Sequence, residues 1–369
     1  MNGSLVVSTR KGLFVLRRGG SGGWSTVVEA FVGEPVTLSL WDERTNTTWA
    51  ALRHGHFGPK LHHSTDLQTW KSAASPAYPG AVSYYGTPAK GGDTPSVDTI
   101  WALESGGADR PGRLWAGTIP GGLFRSDDNG ATWNLVQALW DRPERSEWFG
   151  GGADEPGIHS VLVDPRDSDH VTVGVSCGGV WQTRDAGETW ELTADGMFAA
   201  YMPPSRRNDQ RIQDPHRIVR CLTAPDVLWS QHHNGIFVSR DDGKTWSSCE
   251  GEPSSFGFGV VVHPADPDKA WFVPAVKDDK RVPSDGRFVV SHTADGGKTF
   301  ELLTDGLPTR AWDIVYRHAF AIDASGDVLA MGSTTGNLWL SADGGRTWTA
   351  IDHHLPPIYA VDLCGDCHG

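Results

Sequence analysis

One short pattern returns along the chain and limits what it can fold into. It reads Ser126-Asp127-Asp128-Asn129-Gly130-Ala131-Thr132-Trp133, and recurs at Thr183–Trp190, Ser239–Trp246, Thr293–Phe300 and Ser341–Trp348. A shorter copy, Ser64-Thr65-Asp66-Leu67-Gln68-Thr69-Trp70, lacks the Gly, and the first unit keeps only Leu13-Phe14-Val15-Leu16 and Trp24. Seven units spaced by roughly 50 residues fall in the range of propeller repeats. Seventeen Trp and 45 Gly among 369 residues, with many short apolar runs, agree with an all-β repeat protein. The expected fold is a seven-bladed β-propeller of four-stranded antiparallel blades, one domain over residues 1–369.

The motif has a structural reason. A strand ends at Ser/Thr, the Asp carboxylate bonds backbone N–H groups of the turn, Gly supplies positive φ, and Trp opens the next strand. These Asp residues therefore read as hairpin braces, and poorly as catalytic acids. The fourth unit parses as strands at 157–163, 170–176 and 180–183, with a fourth from Trp190. Ser4 to Thr9 matches a second strand, so the first blade lacks its inner one. The run from Pro357 to Leu363 is expected to supply it and close the ring.

Antiparallel geometry puts all the Asp turns on one face. The opposite face collects the turns between second and third strands and the connections between blades. Most of the 15 His residues fall there. Loops on a rigid scaffold are where sites are built, and neutral imidazoles bind divalent metals. His56, His159, His216 and His233 are the candidate ligands of a divalent metal ion. Glu147 and Asp214 are the candidate catalytic carboxylates. Arg10, His54, Trp148, His232, Phe258 and Arg310 are candidate substrate contacts; Arg217 is a further candidate for holding a carboxylate. For each His, a hydrogen-bonded channel lining is the competing reading.

A net charge of −13 argues against nucleic acid or an anionic membrane as partner. A small polar or anionic substrate is expected, with a protein partner as the other option. Met1 to Arg10 has no apolar leader, so a cytoplasmic location is expected. Cys364-Gly365-Asp366-Cys367-His368 matches the pattern for c-type haem attachment. The export context for haem is missing and the match sits at the chain end, so haem is not expected there.

The five full repeats resemble the BNR or Asp-box repeats of the sialidase-like superfamily, and most of all its bacterial members labelled glycosyl hydrolase or exo-alpha-sialidase. Glu147-Trp148, Gly157-Ile158-His159-Ser160, Asp214-Pro215-His216 and Gln231-His232-His233-Asn234-Gly235 look like that group. The resemblance implies the propeller fold; the superfamily also holds other glycoside hydrolases, sortilin-type receptors and photosystem II assembly factors, so the reaction is not carried with it. The sialidase F/Y-R-I-P signature is absent: His216-Arg217-Ile218-Val219 begins with His and lacks the Pro, so no catalytic residue is carried over. Three functions stay open: a metal-dependent hydrolase or lyase, a metal-independent glycosidase, and a binding or assembly propeller.

Overall fold

The computed structural model describes residues 3–19, 22–80, 95–151 and 153–364. They form seven four-stranded antiparallel sheets arranged as blades. The inner strands, blade 1 to blade 7, are Ile358–Cys364, Val36–Asp42, Thr99–Ser105, Ile158–Asp164, Pro215–Arg220, Phe256–His263 and Phe320–Ile322. In blade 4 the remaining strands are Asp167–Val175, Gly179–Thr183 and Glu191–Leu192, within three residues of the pattern read from sequence. Blade 1 takes its inner strand from the other end of the chain. Leu5 lies opposite Leu363, and Val7 opposite Val361.

The repeated turns are built alike. Asp241 Oδ1 accepts from Ser239 Oγ (2.9 Å) and Thr245 N (2.9 Å), while Oδ2 accepts from Thr245 Oγ1 (2.7 Å). Ser239 Oγ in turn accepts from Gly243 N at 2.8 Å. Asp242 and Gly243 both have positive φ, 62° and 78°, which explains the glycine at the second position. In blade 5 the Trp that follows ties blade to blade: Trp246 Nε1 donates to the Thr193 carbonyl of blade 4 at 2.8 Å. Trp115, Trp181, Trp229 and Trp339 are fully buried in the apolar layers between blades.

The inner strands run from the loop-rich face to the Asp-turn face. In blades 2 to 6 each carries a register shift near its start, between Val36/Leu38, Ile100/Ala102, Ile158/Ser160, Pro215/Arg217 and Gly257/Val260. Such a bulge re-aims the side chains that follow it. Around the axis the inner strands of all seven blades line a cavity of about 720 Å³. It runs from His159 and His318 at one end to Pro165, Leu222, Pro264 and Ala324 in the turns at the other. Its loop-face end is crossed by blade 7: His318 Nε2 donates to the His159 carbonyl at 2.8 Å, and Arg317 Nε to the His216 carbonyl at 2.6 Å. No helix among the described residues is long and apolar enough to cross a membrane.

Candidate functional site

Blade 5 begins with Asp214, immediately before its inner strand, and the turn between its second and third strands carries His233. The two meet on the loop face. Asp214 Oδ1 accepts from Ser176 Oγ and Cys177 N, both at 3.1 Å, which fixes the carboxylate against blade 4. Its Oδ2 faces His216 Nε2 at 3.4 Å and His233 Nδ1 at 3.3 Å. These three ligand atoms lie within 4.8 Å of one another.

A hydrogen bond at the far side of the ring sets the tautomer of His216. His216 Nδ1 is 2.7 Å from the Gly257 carbonyl, which can only accept, so Nδ1 carries a proton. In the neutral ring Nε2 then presents its lone pair toward Asp214. His233 lies between two carboxylates, with Nδ1 3.3 Å from Asp214 Oδ2 and Nε2 3.5 Å from Asp278 Oδ2. Each ring is thus held at one nitrogen by an oxygen acceptor and offers the other to the same point. That is the outer-shell arrangement typical of metal-binding histidines.

Burial drives His216 down, toward the neutral ring. Burial resists ionisation of Asp214, but the imidazoles beside it, His216 above all, outweigh it and hold the carboxyl well below its usual range. Asp214 is only 3% exposed. Among the described residues no Lys or Arg pairs with it; Arg317 is attracted to it only at longer range.

A second cluster of similar composition gives the contrast. Asp164, His170 and Asp242 are buried together on the Asp-turn face, where few histidines were expected. There Arg220 Nη1 already bonds Asp164 (3.1 Å) and Asp242 (2.8 Å), with Arg166 and Arg184 adding further pairs. Its cation position is filled by guanidinium. The one at Asp214 is not.

The walls of the Asp214 site are aromatic. His216 stacks on Phe258 at 4.6 Å, and Phe256 meets both His216 (5.5 Å) and His233 (5.8 Å) edge-on. Tyr201 lies edge-on to His233 at 4.8 Å and is 40% exposed. Phe149, 37% exposed, donates its N–H to the Cys177 carbonyl at 3.3 Å. Burial and the Asp214 charge push the Cys177 thiol up, so it is no thiolate nucleophile at neutral pH.

Of the residues chosen from sequence, Asp214, His216, His233 and Phe258 come together. The others are placed elsewhere. His56 is exposed and packs on Phe57 (3.9 Å). His54 pairs with Glu34 at 2.7 Å. His159 is fully buried, with Nδ1 2.9 Å from Ser160 Oγ. His232 has a backbone amide against each ring nitrogen, Asp214 N at Nε2 and Asn234 N at Nδ1, both 3.0 Å; the neutral ring accepts from one of them, and main chain covers both nitrogens. Burial lowers that ring to about 3. Glu147 is held by Arg206 (2.8 Å) and Arg211 (3.8 Å). Trp148 is buried against Trp181 and Arg145. Arg10 is exposed at a blade 1 turn, and Arg310 packs over Trp312. Cys364 is buried at the end of the closing strand, while Cys367 and His368 lie outside the described residues. Sequence reasoning missed Asp278, Tyr201 and Arg317. They sit in connections with no periodicity, and Asp278 is one of two consecutive acids in a surface-type loop.

No family model matches the chain. Over 217 residues it is 40% identical to an oligoxyloglucan-reducing end-specific xyloglucanase of Emericella nidulans, covering 51% of this chain and 25% of that protein. A probable enzyme of the same description from Neosartorya fischeri is 24% identical over 270 residues, 65% of this chain and 30% of that one. The chain therefore spans about a quarter of the length of these curated relatives. Among solved structures, an ancestral GH74 enzyme superposes with a TM-score of 0.59 at 13% identity, over 89% of this chain and 38% of the other. YCF48 bound to D1 peptide gives 0.51 at 14% identity, over 86% and 82%. At such identities the structural likenesses show the propeller fold; the sequence relatives are glycoside hydrolases.

Proposed function

We propose that this chain is a hydrolase acting on glycosides, with its reaction centre at Asp214, His216 and His233 and a divalent transition-metal ion held between them. The glycoside class rests on the sequence relatives. The cation rests on one observation: a buried carboxylate and two imidazoles converge on a point that no guanidinium occupies, and each imidazole is braced at its other nitrogen by an oxygen. Asp and His donors in that number suit Zn and its neighbours, with a position left open.

A cation bound there would polarise an oxygen of the substrate or lower the pKa of a bound water. The protein's own residues do the rest. Ser176 and Cys177 fix Asp214, and Gly257 and Asp278 orient the two rings. Tyr201 and Phe149 are the partly exposed aromatics beside the site against which a sugar can stack. The apolar Phe256–Phe258 wall excludes water from one side of the site.

The test is elemental analysis of the purified protein, joined to product release from xyloglucan oligosaccharides and a panel of aryl glycosides. The expected result is about one metal ion per chain, with hydrolysis that Asp214→Asn lowers by about a hundredfold or more. Metal binding without hydrolysis of any glycoside overturns the substrate class. Hydrolysis that survives chelation and His216→Ala overturns the metal centre.

A further inference from the structure

The axial cavity is a different space from the Asp214 site. Arg317 and His318 lie across the axis between them, and the cavity's remaining lining reaches the turns of the Asp-turn face. Its volume, about 720 Å³, is within the range of small-molecule sites, and its walls are mostly apolar side chains with a few polar ones, as in such sites.

Three of its charged groups come from alternate blades. Glu104 belongs to the inner strand of blade 3, Arg217 to that of blade 5 and Asp362 to that of blade 1. All three line the cavity. Arg217 is attracted by both carboxylates, yet among the described residues no carboxylate oxygen comes within 4.0 Å of its nitrogens. Its Nε is buried without a hydrogen-bond partner among those residues. Asp362 Oδ2 accepts from Ser39 Oγ, which accepts from Ser8 Oγ at 3.0 Å; Glu104 Oε1 accepts from Ser105 N at 2.8 Å. Opposite charges drawn into one cavity, but not touching, leave a gap that a ligand can bridge.

The charges select the ligand. The cavity's other charged groups are engaged: Arg44 with Asp42 (2.7 Å), Arg220 with Asp164 (3.1 Å), and Asp323 accepts from Ser325 Oγ (2.7 Å); with both carboxylates ionised the remaining trio sums to −1. A simple anion meets two carboxylates, and a simple amine leaves Arg217 without an acceptor. A neutral polyol brings hydrogen bonds but no compensating charge. A molecule with an ammonium and a carboxylate satisfies all three: the carboxylate takes the planar guanidinium and the ammonium sits between the acids. Burial pushes Asp362 up to about 6 and Glu104 up as well, against the hydrogen bonds from Ser39 and Ser105 and the pull of Arg217 and, at Glu104, Arg44.

We infer that the axial cavity is a binding site, entered from the Asp-turn face, for a small zwitterion of the α-amino acid class, held by Arg217, Glu104 and Asp362. The site is independent of the proposed hydrolase centre.

Isothermal titration of the full chain with L-alanine, n-propylamine, propionate and D-xylose tests it. L-alanine is expected to bind, with propylamine and propionate weaker by about tenfold or more, since each lacks one charge-assisted contact. Arg217→Met is expected to weaken L-alanine by about the same factor. Leu222→Trp, at the cavity's outer end and 57% exposed in the wild type, narrows the entrance without touching the polar trio. It is expected to block or slow binding in a protein that folds normally. His233→Ala is expected to leave binding unchanged. Absence of L-alanine binding, equal binding of propylamine, propionate or xylose, or full binding by Leu222→Trp and Arg217→Met overturns the assignment.

Discussion

Arg317 of blade 7 donates from Nε to the main-chain oxygen of His216 in blade 5 at 2.6 Å, passing over blade 6 to do so. The guanidinium lies 4.4 Å from the ring of Trp101 in blade 3 and 5.6 Å from that of Phe258 in blade 6. One side chain leading into blade 7 thus touches three other blades and sits behind the Asp214 site.

Replacing Arg317 with Ala removes a charge-assisted hydrogen bond and two cation–π contacts. The expected loss is about 2–4 kcal/mol, read by denaturant unfolding with Trp fluorescence. Arg317→Lys should recover little of it, because an ammonium cannot stack and donate laterally as the planar group does.

Metal stoichiometry should separate the histidines. His216→Ala and His233→Ala are expected to abolish binding, whereas His56→Ala and His159→Ala leave it intact. Asp278→Asn, which only braces His233, should weaken affinity by about 10–100-fold. Equilibrium dialysis against zinc reads all five; retention of metal by His216→Ala would discard this ligand set.

At the second cluster the prediction concerns stability alone. Arg220→Met strands two buried carboxylates, Asp164 and Asp242, and should cost about 3–5 kcal/mol. Added zinc should not rescue it fully, since Arg166 and Arg184 still occupy the outer sides of the same acids.

The repeated turns make a prediction about acid. Hydrogen bonds from Thr299 and Thr293 hold the Asp295 carboxyl at about 2, below its ordinary 3.8. Those from Thr69 N, Ser64 and Gln68 N do the same for Asp66. A carboxyl whose folded value is depressed adds stability above its unfolded value, and loses it as the pH falls through the folded one. Acid unfolding followed by circular dichroism should steepen between about pH 4 and 2. Asp295→Asn should lower stability at neutral pH and make that limb shallower; an unchanged limb would refute the assignment.

The blades were legible in the sequence because their signals are local. The Ser/Thr, Asp and Gly of each turn contact one another within five residues, so the motif carries its own geometry. The closing strand was legible because its apolar run had no other partner. The site was legible only in part. Asp214, His216 and His233 meet because one blade supplies all three. His159 starts the neighbouring inner strand, but a bulge between Ile158 and Ser160 changes which side chains face the axis, and a period-two pattern cannot register an inserted residue. His232 and His233 show the same limit at single-residue scale: one ring is sealed by backbone amides, the next opens to the site. The axial cavity depends on Glu104, Arg217 and Asp362, which are separated by more than a hundred residues and linked by no motif.

The pairing of Ser4–Thr9 with Ile358–Cys364 also sets an order of events. Two segments some 350 residues apart must find each other, and chain entropy makes that encounter the slowest kind of contact to form. On a ribosome, the other six blades can take shape while blade 1 waits, its second strand exposed along one edge until the closing strand is made. A chaperone or a premature stop would act on that waiting edge, far from either cavity, and decide whether either one ever exists.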